Sequence, residues 1–340
     1  MASSGTMVID GLPRVRQNWV LSPALDVIFI IATPIVCFLW ASSTFLLWGT
    51  SAVVGIFAVF NLSHHLPTFI RIYGDRDLLR RFRWQLLLGP LIPFTLAMTV
   101  VSYVILGDYP FSSALCVTLI LIVWDPWHFL MQHYGFMRIY DRHNAAPRKL
   151  AARMDLSICA IWFVYVMLAT VHWFPDLVYD FVLNHDISVL FVFGAGLFQL
   201  LEKLTLALAL IITIVYFSYT VWCYSRGYFV SPAKLMLTVT TLGMLFLTYV
   251  PNPLMQKFIP GWSFPLGFAT LGMVHVSQYL AIVWKYNRSL AQHSEKVRST
   301  VFYKTFARGG LVIALGYVAL CLLYGVFLGD SWHKYLGESS

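Results

Sequence analysis

The chain contains nine long apolar stretches, each of which is long enough to cross a lipid bilayer. They occupy residues 24–47, 51–72, 84–106, 111–138, 156–175, 205–224, 233–250, 264–284 and 310–328. A spanning helix needs about 20 mostly apolar residues, and a helix satisfies its backbone polar groups internally. The sequence therefore predicts an all-α fold, namely a polytopic integral membrane helical bundle of nine transmembrane helices.

The polar remainder is too short to form a second domain. The chain is 59% hydrophobic and only 11% charged, whereas soluble domains carry about 25% charged residues. We expect a cytoplasmic N-terminal tail over 1–23, a single transmembrane bundle over 24–328 and a short C-terminal tail over 329–340.

The basic residues indicate how the bundle is oriented. Most of the 23 Lys and Arg residues fall in the N-terminal tail and in four further segments, 71–83, 138–153, 226–234 and 285–308. Nine spans with a cytoplasmic N-terminus place all five basic regions on one side, as the positive-inside rule requires. The net charge of +8 is thus explained by basic residues that orient the protein in the membrane and contact lipid headgroups. It does not indicate nucleic-acid binding. Residues 187–203 are left outside as an interfacial helix, and the expected location is a bacterial inner membrane.

Five of the ten histidines lie inside predicted spans: His64, His65, His128, His133 and His275. An ionisable side chain in hydrocarbon is costly, so its presence favours a functional site. The second, fourth and eighth spans carry these residues, and all three descend toward the cytoplasm in the predicted topology. The helical rise places the histidines in two layers, roughly 8 Å and 15 Å above the basic helix ends. We therefore expect a metal site in the cytoplasmic half of the bundle.

Helical angles divide the five histidines. His65, His128 and His275, one from each helix, form the predicted core of the metal site. His64 lies about 100° around its helix from His65, and His133 lies about 140° from His128. These two residues are conditional ligands, which either complete the site or form a second metal position.

Three other side chains are predicted to take part in catalysis. Asp125 is the only carboxylate deep within the three spans, and it is expected to bind the metal or to accept a proton from a ligand imidazole. Gln278 and Tyr279 share a helix face with His275, because residues three and four apart are neighbours on a helix.

Imidazole ligands with a single carboxylate suit iron, copper, zinc or nickel. A metal with open coordination positions binds oxygen or polarises a substrate. Within a bilayer, the substrate would be a lipophilic small molecule that resembles a lipid or an isoprenoid. The predicted function is therefore a membrane oxygenase with non-haem iron as cofactor and molecular oxygen as co-substrate.

One short segment resembles a known family. Residues 274–279 read Val-His-Val-Ser-Gln-Tyr and are followed by Val-Trp-Lys at 283–285. This segment is similar to the Brp/Blh-type membrane β-carotene dioxygenases, whose comparable span carries two histidines four residues apart before Val-Trp-Lys. The chain departs from that pattern at the second position, which is Tyr279. The resemblance implies iron-dependent oxidative cleavage of a carotenoid-like molecule.

Other classes stay open. His128 and His275 lie at one depth, as the two axial ligands of a b-type haem do, so the chain is alternatively an electron-transfer or sensor protein. A proton- or metal-coupled transporter would also place His and Asp side chains within the membrane. Histidines that only hydrogen-bond to neighbouring helices are the structural alternative.

Overall fold

Every regular element in the described part of the chain is helical. The computed structural model describes residues 17–67, 73, 76–107, 115–170, 195–250, 252–293 and 310–336. The all-α prediction is confirmed for these residues. The elements are α1 (Pro23–Asp26), π1 (a π-helix, Val27–Ile31), α2 (Thr33–Ser63), α3 (Arg76–Arg81), α4 (Arg83–Leu106), α5 (Leu115–Tyr140), α6 (Arg148–Ala169), α7 (Ala195–Ser225), α8 (Pro232–Met244), π2 (a π-helix, Leu245–Tyr249), α9 (Pro253–Phe258), α10 (Phe264–His293) and α11 (Leu311–Leu336).

Five described helical segments are long and apolar enough to cross a membrane. They are Thr33–Pro67, Arg148–Ala169, Gly196–Ser225, Pro232–Tyr249 and Phe264–Leu290. Much of their surface consists of exposed Leu, Ile, Val and Trp side chains, which is the composition expected of a surface that faces lipid.

The first two predicted spans are joined at Gly49 without a loop. Gly49 adopts φ 82° and ψ −179° inside α2, a conformation that is essentially restricted to glycine. Before Gly49 the chain is antiparallel to α10, because Ile30 contacts Gln278 whereas Phe45, farther along, contacts Trp262 just before α10. After Gly49 the chain is parallel to α10.

The second half of α2 is parallel to α10 and packs closely on it. Phe57 contacts Phe268 and lies against Gly272, and His64 contacts His275 farther along. A Cβ at position 272 would collide with the Phe57 ring. Small residues allow helices to approach closely in membranes, so Gly272 determines how near α2 comes to α10, one turn before His275.

Two helices are longer than the sequence predicts. Residues 195–203 do not form a separate interfacial helix but continue into α7, which runs unbroken from Ala195 to Ser225; residues 187–194 of that prediction lie outside the described ranges. The segment 195–203 contains no proline, so its backbone can extend the helix of the following span. The last helix, α11, reaches Leu336, beyond the predicted end of the bundle at residue 328.

Candidate functional site

Four histidine rings from three helices form a cluster inside the bundle. His64 and His65 directly follow α2, His128 lies on α5 and His275 on α10. The ring centroids are separated by 4.4 Å for His64 and His65, 5.3 Å for His64 and His275, and 4.8 Å for His128 and His275. His128 and His275, two of the three predicted core residues, are thus in direct contact, and the third, His65, is linked to them through His64.

Parallel packing of α5 and α10 creates part of this cluster. His128 contacts His275, and one turn further along Gln132 donates a hydrogen bond to Gln278. Contacts that advance in the same direction on both helices are the mark of a parallel pair. This agrees with the predicted common direction of the histidine-bearing spans.

The regular helix α2 is interrupted at His64, directly before His65. His64 is the residue that caps α2, and Pro67 follows within a turn. Ser63 is buried, and its hydroxyl donates to the carbonyl of Phe60 at 2.6 Å. The ideal angle of about 100° between successive residues therefore does not separate His64 from His65 here.

The cluster changes from buried to exposed across its width. His275 is 7% exposed, His64 is half-buried, and His65 and His128 are exposed. Among the described residues, neither ring nitrogen of His275 has a hydrogen-bond partner. A buried polar atom without a partner is costly, so the enclosed position of His275 carries a free-energy cost in the structure as described. Trp124 stacks on the exposed His128 ring at 5.8 Å.

The three predicted catalytic side chains occupy different positions around this cluster. The ring of Tyr279 lies 5.6 Å from that of His64 and 6.1 Å from that of His275. Asp125 is half-buried on α5, one turn before His128. Gln278 is 1% exposed, and its amide bonds to Gln132 and to a backbone carbonyl rather than to an imidazole.

His133 does not join the other four histidines. It is 2% exposed, and none of the ring contacts seen in the described ranges links it to another histidine. The angle of about 140° from His128 explains this separation.

The histidines are in contact but their nitrogens are not gathered around one point. Within the described ranges, no group of three or more His, Cys, Asp or Glu side chains has an arrangement that could hold a metal ion as it stands. Binding would therefore require rotation of imidazole side chains. His65 and His128 are exposed and have space for such a change.

A second buried polar cluster was missed in the sequence. Arg138 contacts Asp155 at 2.5 Å and Asp141 at 3.2 Å, while Lys234 contacts the same carboxylates at 2.8 Å and 3.2 Å. Both carboxylates are almost completely buried. We call these four residues the ion network; it ties the end of α5 to α6 and α8.

The ion network escaped sequence analysis because its members are far apart along the chain. The basic segments were assigned to membrane topology, which describes charge by region and not by partner. The available signal was the presence of Asp141 and Asp155 in or beside a segment otherwise rich in Arg and Lys. Beside the network lies a small polar pocket, lined by Asp141, Asn144, Tyr219, Thr220, Cys223, Val230, Ser231, Lys234 and Leu235.

Comparison with known proteins identified no relative. No family model, no curated protein and no solved structure matches this chain.

Proposed function

We propose that the chain is a membrane-embedded oxygenase whose histidine cluster holds a non-haem metal ion, with iron as the favoured metal. The observation that carries this proposal is the contact of His64, His65, His128 and His275 from three helices, together with the two buried nitrogens of His275 that lack partners among the described residues. The proposed topology has nine spans, with the N-terminus and the site on the cytoplasmic side of a bacterial inner membrane.

The chemistry of the side chains fits such a metal. Neutral imidazoles are ligands for iron, copper, zinc and nickel, and four of them form a chain of ring contacts in the order His65, His64, His275 and His128. When bound with open coordination positions, iron would supply the activation of molecular oxygen. His133 is left outside this proposed ligand set because its ring lies apart.

The neighbouring side chains can orient the ligands and the substrate. Asp125 is three residues before His128 and so shares its helix face; we assign it to accept a hydrogen bond from the N–H of that imidazole. Tyr279 lies against His64 and His275, where its hydroxyl can donate to a bound substrate. The exposed side of the cluster, at His65 and His128, is where a lipophilic substrate such as a lipid or an isoprenoid would arrive from the bilayer.

The contact between His128 and His275 favours a metal ion over haem. A haem with two histidine ligands lies between their rings, and these two rings are separated by only 4.8 Å. A haem would therefore require α5 and α10 to move apart.

Metal analysis and optical spectroscopy of the protein purified in detergent test the proposal. We expect stoichiometric iron without a Soret band, and loss of the iron when His65, His128 and His275 are all changed to Ala. The matched control is His143→Ala, because His143 is exposed in the segment after α5. A Soret band would identify a haem protein. An active protein without metal would refute both the non-haem metal site and the haem site.

A proton- or metal-coupled transporter is the second candidate. It is favoured by the buried charges of the ion network, one member of which, Arg138, lies five residues after His133 on α5. Ionisable groups within a membrane protein commonly mark ion pathways. Flux into liposomes that depends on the cluster histidines or on Asp125, with no oxygen consumption, would establish this class.

A further inference from the structure

We propose that Gln132 and Gln278 are positioning residues that hold His128 and His275 together. This inference rests on the proposed function of the histidine cluster. The two glutamines form an amide bridge between α5 and α10, directly beside the ring contact.

The bridge consists of three hydrogen bonds. The Nε2 of Gln132 donates to the Oε1 of Gln278 at 3.0 Å and to the carbonyl of His275 at 3.5 Å. The Nε2 of Gln278 donates to the carbonyl of Ile30 at 2.9 Å. The Gln278 amide thus accepts a hydrogen bond from α5 and donates one to π1.

The spacing places the bridge in register with the histidines. Gln132 is four residues after His128, and Gln278 is three residues after His275, so each glutamine shares a helix face with its histidine. A shift of α5 along α10 by one turn would separate the glutamines and the rings together. The amide bridge therefore stabilises the register of α5 and α10 in which the two imidazole centroids are 4.8 Å apart.

The π-helix π1 also holds the amide bridge in place. Short π-helical segments within α-helices often occur at functional sites. In π1 the carbonyl of Ile30 accepts from Gln278, and the next carbonyl, that of Ile31, accepts from Thr240 on α8. The bridge consequently ties α10 to a segment that is itself held by α8, which limits rotation of the His275-bearing helix.

Gln132→Met is the variant that tests the inference, because it keeps the length of the side chain and removes its hydrogen bonds. The matched control is Gln199→Met, on the exposed surface of α7. Co²⁺ is the probe, and its visible absorption reports both affinity and coordination. Outer residues that orient metal ligands typically affect metal affinity about 10- to 100-fold. We expect a loss in this range and an altered Co²⁺ spectrum for Gln132→Met, with the control unchanged.

A second measurement does not require metal. Dibromobimane becomes fluorescent when it bridges two nearby thiols, so it can be applied to a His128→Cys/His275→Cys double variant, with peptide mapping to locate the bridge. We expect bridging in this background and a several-fold slower reaction when Gln132→Met is added. Adding Gln199→Met instead should leave the rate unchanged.

The outcomes separate this inference from the proposed function. Unchanged Co²⁺ affinity and unchanged bridging in Gln132→Met would overturn the inference. If the parent protein binds no Co²⁺, the proposed function fails, and the bridging rate alone decides the positioning role. Gln278→Met breaks the same bridge from the other helix and replaces Gln132→Met if that variant does not fold.

Discussion

The imidazole rings of His128 and His275 lie 4.8 Å apart, although their helices are distant in the sequence. The ring of His275 is enclosed, whereas that of His128 is exposed and stacked on Trp124. The pair therefore joins the interior of the bundle to its surface. A ligand that reaches the exposed imidazole is already next to the buried one.

We expect His275→Ala and His133→Ala to differ in metal content. His275 lies at the centre of the ring contacts, so its removal should lower bound iron about tenfold or more, because a protein ligand is lost. His133 lies apart, and its variant should retain the parent iron content per mole of folded protein. Elemental analysis after size-exclusion chromatography measures both. Equal loss in the two variants would contradict the proposed ligand set.

Alanine substitutions at Gly49 and Gly55 should change the stability of the protein in opposite directions. Gly49 has a backbone conformation that costs other residues about 1–3 kcal/mol, so Gly49→Ala should destabilise the protein by that amount. Gly55 is exposed in the same element with nothing near its Cβ position, and Ala is favoured over Gly within a helix by about 0.5–1 kcal/mol. Unfolding in detergent, followed by circular dichroism, gives both values. A neutral Gly49→Ala would argue against the turn at this position.

Gly272→Leu should separate α2 from α10. A side chain at this position meets the Phe57 ring, and overpacking typically costs about 1–3 kcal/mol. Gly89→Leu is the control, since position 89 is exposed with nothing close to its Cβ position. The melting temperature should fall only for Gly272→Leu and recover in part when Phe57→Ala is added. An unchanged melting temperature would show that the two helices do not meet here.

Lys234→Met should strongly destabilise the protein. The change leaves the buried Asp141 and Asp155 with one cation in place of two, and an uncompensated buried charge costs about 3–5 kcal/mol. Adding Asp155→Asn should restore part of the loss, because it removes the excess negative charge. Lys257→Met, on an exposed position, is the control. Denaturant titration in detergent measures the free energy of unfolding, and a loss equal to that of the control would contradict the ion network.

The proposed topology places the two termini on opposite sides of the membrane. An odd number of spans with a cytoplasmic N-terminus leaves the C-terminus outside. In a bacterial host, an alkaline phosphatase fused to the C-terminus should be active, whereas the same enzyme fused to the N-terminus should be inactive. Activity at the N-terminus would reverse the proposed orientation, and the same result at both ends would indicate an even number of spans.

The sequence predicted the helices and the three core histidines better than their surroundings. Apolar length is a local property, so it located α4 and the start of α10 closely, whereas α6 begins eight residues before the predicted span. The helical period also separated His133 from His128 correctly. The joint at Gly49 and the continuous α7 were not predicted, and His64 was only a conditional ligand, because each depends on where a helix breaks and on what it packs against.

The polar partners were the least predictable part of the site. In the sequence, Gln132 is marked only by its position four residues after His128, and its bond to Gln278 depends on how α5 is rotated toward α10. The ion network depends in the same way on the placement of α5, α6 and α8. Neither arrangement leaves a pattern along the chain.

The sequence by itself determined that this protein is helical and rich in apolar spans, and that ionisable side chains lie within them, because hydropathy and spacing act over a few turns. The tertiary structure decided which of those side chains meet. It placed His64 with His65, His128 and His275, and it left His133 apart from them. The physical reason is that helix rotation and crossing, which are products of packing at residues such as Gly272 and Gln278, determine the direction of every buried side chain.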